Sequence, residues 1–316
     1  MNNSTITLRK IRDFGSNISV SIEFLRENIL PFYKSLAFIA GPFILISSIL
    51  SGIFLSEFMS EIMDRSANPG TFGSSIFPEN FSKYMLNSVL IQFIGMIAVI
   101  TVTYRYLLLY PEYGKNITFE ILWKYVKKDF LPIIAGNLVF LLIVAGSTMI
   151  LGSSFLAIGF LSGGWVLGLL VFLAFIYLMI PCSFIYIIQL AENVNPFVAV
   201  QRAFYLIRGY WFSTLGILVI STIIIYMINL VFSIPLSVIS VVTTVNTLDP
   251  TAAFSSPYFS VLNIASTVMS SLGIFFALPV FYLSLGFQYF SIVENKEHVG
   301  LIERIELIGT KEEDIY

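Results

Sequence analysis

Charge is the scarcest ingredient of this sequence. Of 316 residues 17 are basic and 19 acidic, or 11% in all, against roughly 25% in a soluble globular domain. So few charges cannot cover a chain of this length with a water-facing surface, so much of that surface must face lipid. Cysteine and histidine each occur once, as Cys182 and His298. A single cysteine excludes an intramolecular disulfide and a cysteine-based metal cluster. A single histidine excludes histidine-rich metal chemistry. The net charge of −2 excludes a strongly basic nucleic-acid binder. A cleaved secretory signal is not expected, because residues 1–34 are polar and charged and the apolar run after them is too long for one. No metal-ligand spacing, nucleophile elbow, phosphate loop or paired catalytic carboxylate occurs, so neither a cofactor nor an enzymatic activity is expected.

What the chain has in abundance is apolar residues, 57% of the total. About 20 of them in a row suffice for a helix to cross the hydrocarbon core. The runs predict six transmembrane helices, at about 35–56, 85–106, 131–151, 164–190, 211–235 and 259–290. Phe130 to Ala191 carries no charge at all and holds two of these spans, joined through the Gly- and Ser-rich stretch Gly152 to Gly164. The organisation is therefore an N-terminal segment 1–34, a transmembrane domain 35–293 and a tail 294–316. Of the 17 basic residues only Arg65 and Lys83 fall on one side of this arrangement. The positive-inside rule places the other side, with both termini, in the cytoplasm. A bacterial inner (plasma) membrane is the expected location.

Each cytoplasmic connection carries a short segment with helical apolar spacing that leads into an odd-numbered span. The three run from Ser19 to Pro31, from Thr118 to Pro132 and from Asn195 to Phe212. Ser19, Thr118 and Asn195 are N-cap residue types, and Pro196 suits the first helical position. In the second segment Leu122, Tyr125 and Val126 oppose Glu120, Lys124, Lys127 and Lys128. In the third, Val200, Ala203, Phe204 and Ile207 oppose Gln201, Arg202, Tyr205 and Arg208. The segments align with one another: Phe24 with Tyr125 and Tyr205, Asn28 with Asp129 and Gly209, Pro31 with Pro132 and Phe212. The fourth and sixth spans echo each other too, through Pro181 and Pro279 and through the pairs Glu192-Asn193 and Glu294-Asn295. The expected fold is an all-α integral membrane protein. Its six helices form three hairpins, each introduced by a cytoplasmic amphipathic helix.

That architecture, with the stretch Asn195-Pro-Phe-Val-Ala-Val-Gln-Arg-Ala-Phe-Tyr-Leu-Ile-Arg-Gly-Tyr-Trp211, resembles bacterial six-span proteins related to the glycerophosphoryl diester phosphodiesterase membrane-domain family. The shared feature is a basic-Gly-aromatic step before a span, here Arg208-Gly209-Tyr210-Trp211. The resemblance is to the membrane part alone. Enzymatic members add a soluble barrel of roughly 250 residues, and only the tail 294–316 follows the last span here. The resemblance therefore implies no hydrolytic activity.

Intramembrane ionisable residues would mark a transport path, and the span centres contain none. Arg105, near the inner end of the second span, is expected to snorkel to the headgroups. The amides Asn87, Gln92, Asn137, Asn229, Asn263 and Gln288 are expected to hydrogen-bond between helices. Lys124, Lys127, Lys128, Arg202 and Arg208 are the candidate contacts to anionic lipid headgroups or to another membrane protein. The leading expectation is a non-enzymatic multi-pass protein that works through this basic belt. The alternative is a carrier or channel for a neutral or lipid-like solute, supported by the prolines and amides within the spans.

Overall fold

The computed structural model describes residues 6–67, 81–159, 164–245, 257–300 and 302. Among these there is no strand. Nine α-helices follow one another: α1 (Phe14–Ile39), α2 (Gly41–Ala67), α3 (Phe81–Tyr113), α4 (Phe119–Gly159), α5 (Gly164–Cys182), α6 (Ile185–Glu192), α7 (Pro196–Ile207), α8 (Trp211–Val245) and α9 (Pro257–Glu297). The 3-10 turn Gly114–Asn116 joins α3 to α4. Among the described residues six stretches are long and apolar enough to cross a membrane: Gly41–Ile62, Ser82–Asn116, Phe119–Ile150, Gly168–Glu192, Trp211–Ile234 and Tyr258–Glu297. Residues 68–80, 160–163, 246–256 and nearly all of the tail beyond Gly300 lie outside the described residues.

The first span is displaced along the chain from the expected 35–56. Helix α1 runs to Ile39, a turn falls at Ala40, and α2 opens with Gly41 and Pro42. Proline fits there because the first turn of a helix has no use for its missing N–H. The fourth span is interrupted: α5 ends at Cys182, Ser183 and Phe184 form a turn, and α6 resumes at Ile185. Pro181 removes one backbone donor at that point. Pro132 and Pro279, by contrast, lie inside continuous helices.

The three aligned segments end in three different ways. Asn28 sits at a kink within α1, with φ −116° and ψ 15°, and its side-chain amide donates to the Phe24 carbonyl at 2.9 Å. Asp129 lies inside the unbroken α4. Gly209 adopts φ +88° between α7 and α8, a left-handed conformation that glycine takes without a Cβ clash. The caps differ as well. Asn195 caps α7, accepting from the Val198 N–H at 3.0 Å, with Pro196 next to it. Helix α1 begins before Ser19: Asp13 Oδ1 accepts from the Ser16 N–H at 3.0 Å, and Phe14 is the first helical residue. Hydrogen bonds from Ser16, first its side chain and then its backbone, hold the Asp13 pKa below the usual carboxylate value.

The chain forms two compact units. The first comprises Met1–Phe32, Ile100–Ser221 and Val280–Tyr316. Within it α4 packs on α5, α6 and α7, and α7 on α5 and α6. Its core holds Phe24, whose ring meets Tyr110 edge-on at 4.8 Å and Phe287 at 5.9 Å. The second comprises Tyr33–Val99 and Thr222–Pro279. There Ser47 donates to Gln92 at 2.7 Å, Ser56 to Ser260 at 2.8 Å, and Asn229 to the Ser270 carbonyl at 2.9 Å. These bonds link α2 to α3, α2 to α9 and α8 to α9, joining helices that lack a hydrophobic driving force between them in lipid.

Candidate functional site

The first turns of α4 carry the densest group of basic side chains. Leu122, Val126 and Asp129 are buried, while Glu120, Trp123, Lys124, Lys127 and Lys128 are exposed. The 3.6-residue period puts the lysines on one side and the apolar residues on the other. Phe119 and Trp123 stack with ring centres 6.2 Å apart and planes 14° apart. The Lys127 ammonium lies 5.2 Å from the centre of the Trp123 ring, within cation–π range. Together Phe119, Glu120, Trp123, Lys124, Lys127 and Lys128 line an open recess of about 530 Å³. Beyond it α4 continues through Phe130 to Gly159 without another charge.

Helix α7 places its two arginines differently. Arg208 stands exposed at the end of the helix, next to Gly209. Arg202 is half-buried and doubly paired. Its Nε donates to Glu192 Oε1 at 3.1 Å, and its NH2 group lies 2.5 Å from Glu297 Oε1. Burial pulls the Arg202 pKa down, but the hydrogen bonds to Glu297 and Glu192 outweigh it and the pKa is raised. Tyr289 donates to the same Glu192 oxygen at 2.8 Å. Lys296 donates to the Tyr205 carbonyl at 2.8 Å and lies 4.9 Å from that residue's ring centre. Arg202 thus joins α6, α7 and α9, and its charge is largely spent within the protein. The five candidate residues therefore divide into the exposed Lys124, Lys127, Lys128 and Arg208, and the internally committed Arg202.

Three further expectations need correction. Arg105 does not reach outward; it is ion-paired with Asp129, and the two side chains are 13% and 6% exposed. The pairing neutralises both charges where both side chains are nearly enclosed. The echo between the fourth and sixth spans pairs different residues from those the sequence suggested. Glu297, not Glu294, matches Glu192 in gripping Arg202, and Glu294 accepts from the Gly300 N–H at 2.8 Å. Among the span amides, Gln92, Asn229 and Gln288 bond between helices, but Asn87 bonds back to Lys83 within α3 at 2.7 Å. Gln288 accepts from Asn17 at 2.6 Å and donates to Ser213 and Thr214 at 3.3 and 3.4 Å. The partners Asn17, Glu192, Glu297 and Tyr289 were not candidates from sequence. The contacts of Asn17 with Gln288 and of Tyr289 with Glu192 span long chain separations that periodicity does not encode.

Among the described residues no three His, Cys, Asp or Glu side chains are grouped to hold a metal ion. Cys182 is a buried free thiol. Compared with known protein families, curated proteins and solved structures, the chain matches none.

Proposed function

We propose that this chain is a non-enzymatic, multi-pass protein of a bacterial inner membrane that binds anionic lipid headgroups through the exposed lysines of α4. The observation that carries the reading is the position of Lys124, Lys127 and Lys128. They are exposed in the first turns of a helix that carries no charge beyond Asp129 and is long enough to cross a bilayer. Basic residues at such a junction meet the negative surface of the cytoplasmic leaflet, at roughly 1 kcal/mol each. In this reading both termini are cytoplasmic, and the spans form three hairpins introduced by α1, the start of α4 and α7. Outward-facing Phe119, Trp123, Phe197, Tyr205 and Phe212 suit the headgroup level, where aromatic rings are favoured. Arg208 belongs to the same belt, and Arg202 holds α7 in place within it.

Charge reversal tests the proposal: Lys124→Glu, Lys127→Glu and Lys128→Glu are combined and the protein is reconstituted in vesicles of phosphatidylcholine with phosphatidylglycerol. Lipid binding is expected to fall at least tenfold. Unchanged binding together with unchanged topology by cysteine labelling would refute it.

A second reading, a carrier for a neutral or lipid-like solute, draws on buried polar atoms of the first unit. Asn17 Oδ1 and the hydroxyls of Tyr104 and Tyr106 are enclosed without a hydrogen-bond partner. Solute uptake into proteoliposomes that responds to Asn17→Ala would favour it. Identical uptake by empty and protein-loaded vesicles across sugars, polyols and lysolipids would remove it.

A further inference from the structure

Among the described residues the lysines of the α4 recess form no ion pair, in contrast to three other basic residues of the first unit. Arg105 is paired with Asp129, Lys115 with Glu27 at 3.3 Å, and Arg202 with two glutamates. Among the described residues, Lys124, Lys127 and Lys128 are in no ion pair. Glu120 is the one acid on the recess wall, because Asp129 turns inward to Arg105. Three lysines against one glutamate leave the recess two positive charges in excess. The recess is also partly apolar. Phe119 and Trp123 are 43% and 38% exposed, and Leu131, one turn beyond Lys127, is 72% exposed. A free anion gains nothing from such neighbours. An amphiphile that carries a phosphate gains from both the rings and the charges.

Resting on the anionic-lipid reading above, we infer that this recess takes a single phospholipid whose headgroup is a phosphate monoester. The doubly ionised phosphate lies against Lys124, Lys127 and Lys128, and the glycerol and upper acyl region lie toward Trp123 and Leu131. Two features select the monoester over a diester. A diester phosphate carries one negative charge at most, whereas a monoester reaches nearly two near neutral pH. Lysine ammoniums supply three donors each, and hydrogen bonds to the fully ionised form favour it. The excess of two positive charges matches the dianion and exceeds what a diester supplies. The Lys127 ammonium, held against the Trp123 face, fixes one donor at the lip of the recess.

The test uses the purified full chain in nanodiscs of phosphatidylcholine. Phosphatidic acid is compared with phosphatidylglycerol at equal negative charge density, with bound lipid counted by native mass spectrometry. A preference of roughly tenfold for phosphatidic acid is expected. Glycerol 3-phosphate is expected not to compete. The variant with Lys124→Gln, Lys127→Gln and Lys128→Gln is expected to lose the preference while its helical circular dichroism stays unchanged. The milder Lys127→Gln, which leaves two lysines, is expected to lose part of it. Equal retention of the two lipids overturns the monoester assignment and leaves the anionic-lipid reading standing; retention of neither removes both. Full competition by glycerol 3-phosphate makes a soluble phosphate the ligand and overturns the lipid assignment. A preference that survives both lysine variants places the site elsewhere and overturns the inference.

Discussion

Glu192 and Glu297 hold the same guanidinium, that of Arg202, from the ends of two different helices. Each glutamate directly precedes a residue in the left-handed conformation: Asn193 at φ 51° after α6, and His298 at φ 52° after α9. Left-handed residues are common terminators of helices. Both helices therefore stop just after delivering a carboxylate to α7.

Replacing Arg202 tests the energetic weight of that arrangement. Arg202→Met removes the guanidinium and leaves two half-buried carboxylates facing each other. Half-exposed ion pairs contribute up to about 1 kcal/mol each. A loss of roughly 1–2 kcal/mol is expected, read as a lower midpoint of thermal unfolding in detergent micelles. Adding Glu192→Gln and Glu297→Gln to Arg202→Met is expected to restore most of the loss, since no unpaired carboxylate remains. An Arg202→Met protein as stable as its parent would mean that the triad contributes nothing.

The Arg105–Asp129 pair carries a larger expected effect because both side chains are nearly enclosed. The Arg105 guanidinium also lies 5.5 Å from the centre of the Tyr125 ring. Removing one member of a buried pair leaves an uncompensated charge and costs about 3 kcal/mol or more. Asp129→Asn is therefore expected to lower stability sharply. Replacing both members with apolar residues, Arg105→Met and Asp129→Leu, should cost far less than the single change, because no charge is then stranded. Thermal unfolding of the parent, Arg105→Met, Asp129→Leu and the double variant forms a closed cycle. Simple additivity of the single losses would contradict the pairing.

These pairs show which parts of the molecule were legible in the sequence. Local signals were: Asn195 with Pro196 identified the start of α7, because a cap and its helix lie within four residues of each other. Long apolar runs identified the six stretches able to span a membrane, since length and composition are properties of the chain itself. The start expected at Ser19 lies inside α1, which opens at Phe14 under the Asp13 cap. Asn28, Asp129 and Gly209 align by residue spacing, but a kink, a continuous helix and a left-handed turn arise at those positions. The surrounding contacts select among these backbones, and they come from residues distant in the chain. Arg105 looked like a residue bound for the headgroups, because its partner lies 24 residues further along the chain. Among the candidate contacts, exposure separated the α4 lysines from Arg202, and no reading of charge alone could have done so.

In the second unit, Gly52 permits a backbone contact that any side chain would obstruct. A Cβ at Gly52 would lie 2.7 Å from the Ile264 Cα of α9, closer than non-bonded carbon atoms approach. The opposing atom belongs to a backbone and cannot turn aside, so α2 and α9 would have to separate. One turn away, the 2.8 Å hydrogen bond from Ser56 to Ser260 depends on the same approach. Small residues serve this purpose in membrane helices, where close packing replaces the hydrophobic effect as the source of association. Gly52→Ala is expected to destabilise by about 1–3 kcal/mol, the usual cost of overpacking. Gly146, inside α4, makes the opposite case: a Cβ there meets nothing within 4 Å. Gly146→Ala should be neutral or stabilising by up to about 1 kcal/mol, because alanine favours the helix over glycine. The two variants place the same methyl group on an interior helical glycine, so helix propensity alone predicts that both stabilise. Unfolding midpoints that shift in opposite directions would separate the packing effect from propensity. A Gly52→Ala protein that gains stability, as Gly146→Ala can, would show that α2 and α9 do not approach this closely.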